Sequence, residues 1–246
     1  MKKITFLIII IIMLFAFVPV SRAQIHLSIG PQVGVALPMS DFSGEVTDFY
    51  NGTKYGLNTG FNIGATVKAD LMVIAGRLDI NYAMFKNDGN ISGTTNTNSA
   101  GTVKMNSLII GIGPEYNIDI PLSPIKPYGS IELLITSFSG SFQFQNTPLV
   151  SNSNSQDIAS ATRIGLGFLL GTEFKFGLYA LDLSLRYNIL NVGGKSFSSY
   201  TNNDRTNSYL NLNDDKDPNY DGDKHPVGSS RNMSSLQINV GFLFGF

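Results

Sequence analysis

From residue 25 onward, apolar side chains return at every second position in eight separate runs. A period of two places alternate side chains on opposite faces of an extended strand. A chain patterned this way folds as a sheet whose two faces meet different surroundings. In the first run Ile25, Leu27, Ile29, Val33 and Val35 share one face, opposed by His26, Ser28, Gln32 and small residues. Later runs centre on Phe61 to Val67, Leu78 to Met84, Leu108 to Ile118 and Ile131 to Ile135. The last three run from Ile164 to Phe176, from Tyr179 to Ile189 and from Leu236 to Phe246. Sustained helical spacing is missing after residue 23.

The connections have their own rhythm. Those around Asp70, over 119–126 and around Gly177 are short, whereas 38–56, 86–102, 138–161 and 191–233 are long and polar. Strict alternation of short and long puts every long loop at one end of an up-and-down barrel. Short periplasmic turns opposite long external loops are the asymmetry of outer-membrane barrels. The expected fold is therefore all-β: an eight-stranded antiparallel up-and-down transmembrane β-barrel, with both termini on the periplasmic side.

A water-soluble barrel with apolar residues inside has the same period, so the charges must decide which face is outside. Every strand charge falls on the face opposite the apolar row: Lys68, Arg77, Asp79, Glu115, Glu132, Glu173, Lys175, Asp182 and Arg186. The rest of that face is mostly Gly, Ser and Asn, which suits a narrow lumen better than a water-exposed sheet. Tyr82, Tyr116, Tyr128, Tyr179 and Tyr187 fall where aromatic girdles meet headgroups. Phe246, with Phe244 and Phe242 before it on the same face, is expected to act as a membrane-insertion signal for the outer-membrane assembly machinery. Lipid is thus the expected partner of the apolar face.

The start of the chain has a separate purpose. Lys2 and Lys3 precede an apolar stretch over 4–20, and Ser21-Arg22-Ala23 follows with small residues at the cleavage positions. That is a secretory signal peptide over 1–23, with the barrel domain over 24–246. Loss of the leader lowers Lys+Arg from 17 to 14 against 18 Asp+Glu, a mildly acidic balance that argues against nucleic acid as a partner. The chain has no cysteine, which excludes thiol chemistry and disulfides.

Several stretches resemble the PorT-like outer-membrane β-barrel domain proteins, small barrels of the OmpA/OmpX type. Leu181-Asp182-Leu183-Ser184-Leu185-Arg186-Tyr187-Asn188, with Asn191-Val192 after it, is similar to their penultimate strand. Lys126-Pro127-Tyr128-Gly129 resembles the entry to a middle strand, and 236–246 the closing strand. Ile189-Leu190 stands where the family usually has Gly-Leu, and Val192 where it has Ile. The resemblance implies a fold and a cellular place, and a link to secretion components through the loops, rather than a reaction.

Candidate chemistry is sparse. The two histidines, His26 and His225, lack a Ser or carboxylate at triad spacing, although Ser229 and Ser230 lie near His225. The last loop carries oxygen ligands at alternating positions, Asp215, Asp217, Asn219 and Asp221, the spacing of a calcium loop without its glycine or closing Glu. The lumenal charges are of mixed sign and suit mutual pairing better than a ring of one sign that selects ions. The expected function is a non-enzymatic envelope protein without cofactor that displays four long loops. A narrow passive channel is the alternative, and a hydrolase acting at the barrel rim comes after it.

Overall fold

The computed structural model describes residues 26–71, 73–94, 98–150, 154–198, 205–223 and 226–245. The leader at 1–23, His225 and Phe246 lie outside the described residues. The strands are β1 (His26–Ser40), β2 (Gly60–Leu71), β3 (Ile74–Asn90), β4 (Ala100–Asn117), β5 (Ile125–Gln145), β6 (Gln156–Phe176), β7 (Tyr179–Gly193) and β8 (Met233–Gly245). Each pairs antiparallel with the next, and β8 returns to β1, so the sheet closes as an eight-stranded barrel. Closure leaves no ladder edge, which lipid requires because it cannot hydrogen-bond a free backbone group.

The apolar rows face outward. Ile29, Val67, Leu78, Ile112, Leu133 and Leu166 stand in register on six successive strands and form an apolar hoop that winds up the outer wall. Members such as Ile112 and Leu133 stay more than half exposed, at 61% and 51%. The opposite faces turn into the bore, where Arg77, Asp79, Glu115, Glu132 and Arg186 are buried.

The strands run well past this hoop. β5 has 21 residues, about 70 Å at roughly 3.3 Å per residue. Tilted by about 40°, it rises roughly twice the ~25 Å apolar band of a membrane barrel. Much of 86–102 and 138–161, expected as loop, is therefore strand. Along β5 the outward row reads Ile131, Leu133, Ile135 and then Ser137, Ser139, Ser141, Gln143. The inward row changes in the opposite sense, from Ser130 and Glu132 to Leu134, Phe138, Phe142 and Phe144. β3 and β4 make the same exchange, with Lys86 and Lys104 outside and Phe85, Val103 and Met105 inside. The periodicity persists while the solvent changes. The turn-end half is built for lipid, and the loop-end half is a soluble barrel with an apolar core.

That core is completed by the first and last long connections, which fold inward instead of standing free in water. In the first, helix α1 (Val46–Tyr50) is opened by a capping box between Glu45 and Asp48 and buries Val46, Phe49 and Tyr50. Phe42 packs edge-to-face on Phe85 and Phe138 at centroid distances of 5.1 and 6.1 Å, the geometry preferred by ring quadrupoles. Tyr209, in a 3-10 turn over Arg205–Tyr209 of the last loop, meets Phe49 and Phe144 at 5.4 and 5.1 Å. Leu57 lies before β2 and is buried in this core. A β-bulge between β5 and β6 shifts the register by one residue near Phe138 and Gly140, and Ile158 beyond it is inward. One inserted residue is enough to exchange the faces of a strand.

The exchange of solvents makes a prediction about two positions on one row of β5. Leu133→Arg, in the hoop, is expected to cost about 2–4 kcal/mol. Ser139→Arg, six residues on and also outward, should cost no more than about 0.5 kcal/mol. Urea unfolding of the protein in lipid vesicles measures both.

Candidate functional site: a closed bore

Below the aromatic core the bore is filled by ionised side chains. Arg77 is the hub. Its Nε donates to Asp79 Oδ2 at 2.5 Å and its Nη1 to Glu115 Oε2 at 2.9 Å. Glu132 and Asp182 lie 3.6 and 3.7 Å from the same guanidinium. Arg186 bridges Asp79 and Glu132, the latter at 3.3 Å. Lys68 pairs with Glu115 at 2.5 Å and with Glu173. All of these groups are buried.

Register explains how so many large groups fit. Arg77 stands opposite Gly113, Asp79 opposite Gly111, Glu132 opposite Gly167 and Asp182 opposite Gly241. A side chain at Gly111 would meet the Glu132 carboxylate, and one at Gly171 would meet the Tyr128 ring. Small residues are thus the space that the long ones occupy.

Three cations, Lys68, Arg77 and Arg186, face five carboxylates, Asp79, Glu115, Glu132, Glu173 and Asp182, so neutral donors must complete the network. A buried charge is tolerable only when paired and hydrogen-bonded. Thr66 and Gln32 donate to Asp79, and the Tyr128 hydroxyl donates to Asp182 at 2.6 Å. Tyr128 is a correction to the expected girdle. It is buried in the bore with Lys68 over its ring at 4.3 Å, whereas Tyr116 and Tyr179 are exposed on the outer wall. Lys175 is also a partial exception among the expected lumenal charges. It stands at the turn-end mouth, 44% exposed and 4.0 Å from Glu173.

A second set of polar contacts fastens the lid at the loop end. Arg163 of β6 holds both Asp214 oxygens, at 2.8 and 2.7 Å, and Asn191 adds a third bond at 3.0 Å. Arg231 lies over the Tyr55 ring at 4.1 Å and donates to the Asn213 carbonyl. Tyr55 donates to the Leu212 carbonyl at 2.8 Å, so the first and last loops are stitched to each other. Burial by itself would raise the Asp214 carboxyl, but the Arg163 and Asn191 hydrogen bonds and the Ser196 N–H hold it below the usual carboxylate range.

The expected calcium loop does not assemble. Asp215, Asp217 and Asp221 each accept a hydrogen bond from a backbone N–H one or two residues ahead. Among the described residues, no three His, Cys, Asp or Glu side chains gather at one point. The carboxylates are spent on local turns. His26 sits at the turn end, across from Asp70 on β2, and is exposed. No hydrogen bond joins its side chain to Asp70 or to Ser28, both of which line the same small cleft.

Two outcomes follow from this geometry. Arg77→Met leaves two buried cations, Lys68 and Arg186, for five buried carboxylates and is expected to cost about 3–5 kcal/mol, while Lys216→Met on the exposed loop should cost no more than about 0.5 kcal/mol, by urea unfolding in vesicles. The Asp214 pin contributes stability above the ordinary carboxylate value of 3.8 and loses it as pH falls through the lower folded value. Proteolytic nicking of 194–232 should therefore rise only in strong acid. Asp214→Asn should be nicked at neutral pH as well, with a flat pH profile.

Comparison with known proteins adds the family. The Opacity family porin protein profile matches residues 72–204, more than half of the chain. No curated protein matches the sequence closely enough to count as a relative. Among solved structures, the barrel is similar to Neisserial surface protein A, with 18% identity, a TM-score of 0.47, and 89% of this chain and 97% of that one covered. It is also similar to outer membrane protein OprG from Pseudomonas aeruginosa, with 14% identity, a TM-score of 0.48 and coverage of 90% and 95%. A major outer membrane protein from Thermus thermophilus has 15% identity, a TM-score of 0.45 and coverage of 89% and 99%. With its lipid-facing hoop and a profile match over most of the strands, the chain belongs to the Opacity family of porin proteins and resides in the cell outer membrane.

Proposed function

We propose that this protein is a plugged, non-enzymatic barrel that works through the surface at its loop end. The observation that carries the reading is the double closure of the bore. Arg77 and Arg186 tie the walls together across the lipid-embedded half, and the aromatic core with its pinned lid fills the half above. A passive channel needs a continuous wet path, and ion selectivity needs exposed groups of one sign. The network here is of mixed sign and self-paired.

The loop-end half then acts as a rigid pedestal, which raises the polar connections above the bilayer on long strands. The likeness of the last two strands to PorT-like barrels supports secretion components as one partner class for that surface. Residues 1–23 serve as the export leader, so the mature chain begins at Gln24. The apolar row of β8, with Ile238, Val240, Phe242 and Phe244 outward, suits recognition by the outer-membrane assembly machinery.

Planar-bilayer recording of the purified protein separates the two readings. Stable conductance steps that scale with salt would remove the plugged barrel in favour of the channel. The plugged barrel is expected to give none, even after Asp214→Asn frees the lid, because the ion-pair network below remains. Envelope extracts passed over the intact barrel and over one with 205–223 replaced by a Gly-Ser linker should yield a retained partner only from the former.

A further inference from the structure

The three turns at the periplasmic end carry exposed large apolar side chains at their tips. Val73 joins β2 to β3 and is 47% exposed, and Leu178 joins β6 to β7 at 67%. The connection over 118–124 is the longest, and in it Ile120 is 46% exposed and Leu122 fully exposed at 108%. A soluble turn would be expected to carry Gly, Asn, Asp or Ser at such tips.

The 118–124 turn is also held rigidly. Ile118 N donates to Pro127 O at 2.9 Å, Ser123 N to Ile120 O at 3.1 Å, and Lys175 N to Pro124 O at 2.8 Å. Prolines at 121 and 124 restrict the backbone further. Leu122 itself lies at φ 63°, in the left-handed region that a bulky side chain rarely adopts. Backbone strain of this kind persists where the surroundings enforce it and collects at functional positions. Asn or Gly would sit there without strain, so nothing in the turn itself calls for leucine.

What covers these side chains is indicated by where they begin. Ile118 continues the outward row of β4 through Tyr116 and Ile112, all exposed, so the turn extends the surface that already faces lipid. We infer that the 118–124 turn is a membrane-interface anchor, with Leu122 and Ile120 embedded among phospholipids of the inner leaflet. The periplasmic rim is then flush with that leaflet, and the surface left for protein partners is at the other end.

The cysteine-free sequence allows a direct test with single bimane labels. Leu122→Cys and, as a water-facing reference, Ser141→Cys are labelled in the full barrel. Both are placed in vesicles of phosphatidylethanolamine and phosphatidylglycerol that contain a nitroxide lipid labelled near the headgroup. The label at 122 is expected to be quenched at least two-fold more by the nitroxide lipid, and at least two-fold less by aqueous iodide, than the label at 141. Matching behaviour at the two sites would overturn the anchor and turn attention to a periplasmic protein as the covering partner. A label at Ser123→Cys in a chain that also carries Ile120→Ser and Leu122→Asn keeps the backbone shape while removing the apolar tip. It should move to iodide quenching. If it stays lipid-quenched in the folded barrel, these two side chains do not seat the turn, and the inference fails.

Discussion

An eight-stranded ladder closed on itself leaves a bore that side chains nearly fill, and the other features of this protein follow from that confinement. Glu132 could not lie where it does with a side chain at Gly111, nor Tyr128 with one at Gly171. Because these groups are buried, each ion must find its counter-charge inside, and Arg77 meets four carboxylates within 3.7 Å. The same confinement makes the network a structural floor: removing a hub would leave uncompensated charge that water cannot reach.

The second organising fact is that one set of strands passes through two solvents. Around Leu133 the wall must be apolar outside, and around Ser139 it must be polar. Inside, the requirement reverses, because the loop-end half has water around it and can gain stability from an apolar core. The first and last loops supply what the strands lack, bringing Phe42, Phe49 and Tyr209 onto Phe138, Phe142 and Phe144. Thus the same aromatic contacts that close the barrel at the top also order the loops that would carry recognition. The hydrogen bonds from Arg163 to Asp214 set that order at the rim.

Membership of a porin-named family does not by itself make a conduit. In this chain the pairings that hold the walls together occupy the path an ion would take. If the barrel is plugged as proposed, the surfaces left for function are an outer wall matched to lipid and a polar loop end.

The fold was legible in the sequence because a strand of period two, flanked by alternating short and long connections, has few closed solutions. The face for lipid was legible too, since Lys68, Arg77 and Arg186 all fall on one side of their strands. The ends of the strands were hidden. Past Ile135 the apolar residues change to the other parity, and the row that stops on the outside continues on the inside. Phe138 and Phe142 looked like loop for that reason, as did Phe42 and Tyr209 in polar surroundings. Tyr128 was read as girdle because sequence position cannot say toward which side a ring points. Nor could spacing reveal that Asp215, Asp217 and Asp221 bond their own backbone, or that Asp214 reaches Arg163, 51 residues away. Periodicity is a local property carried by neighbours in the chain. Which side faces water, and which charges meet across the bore, depends on strands distant in sequence and was decided only when the barrel closed.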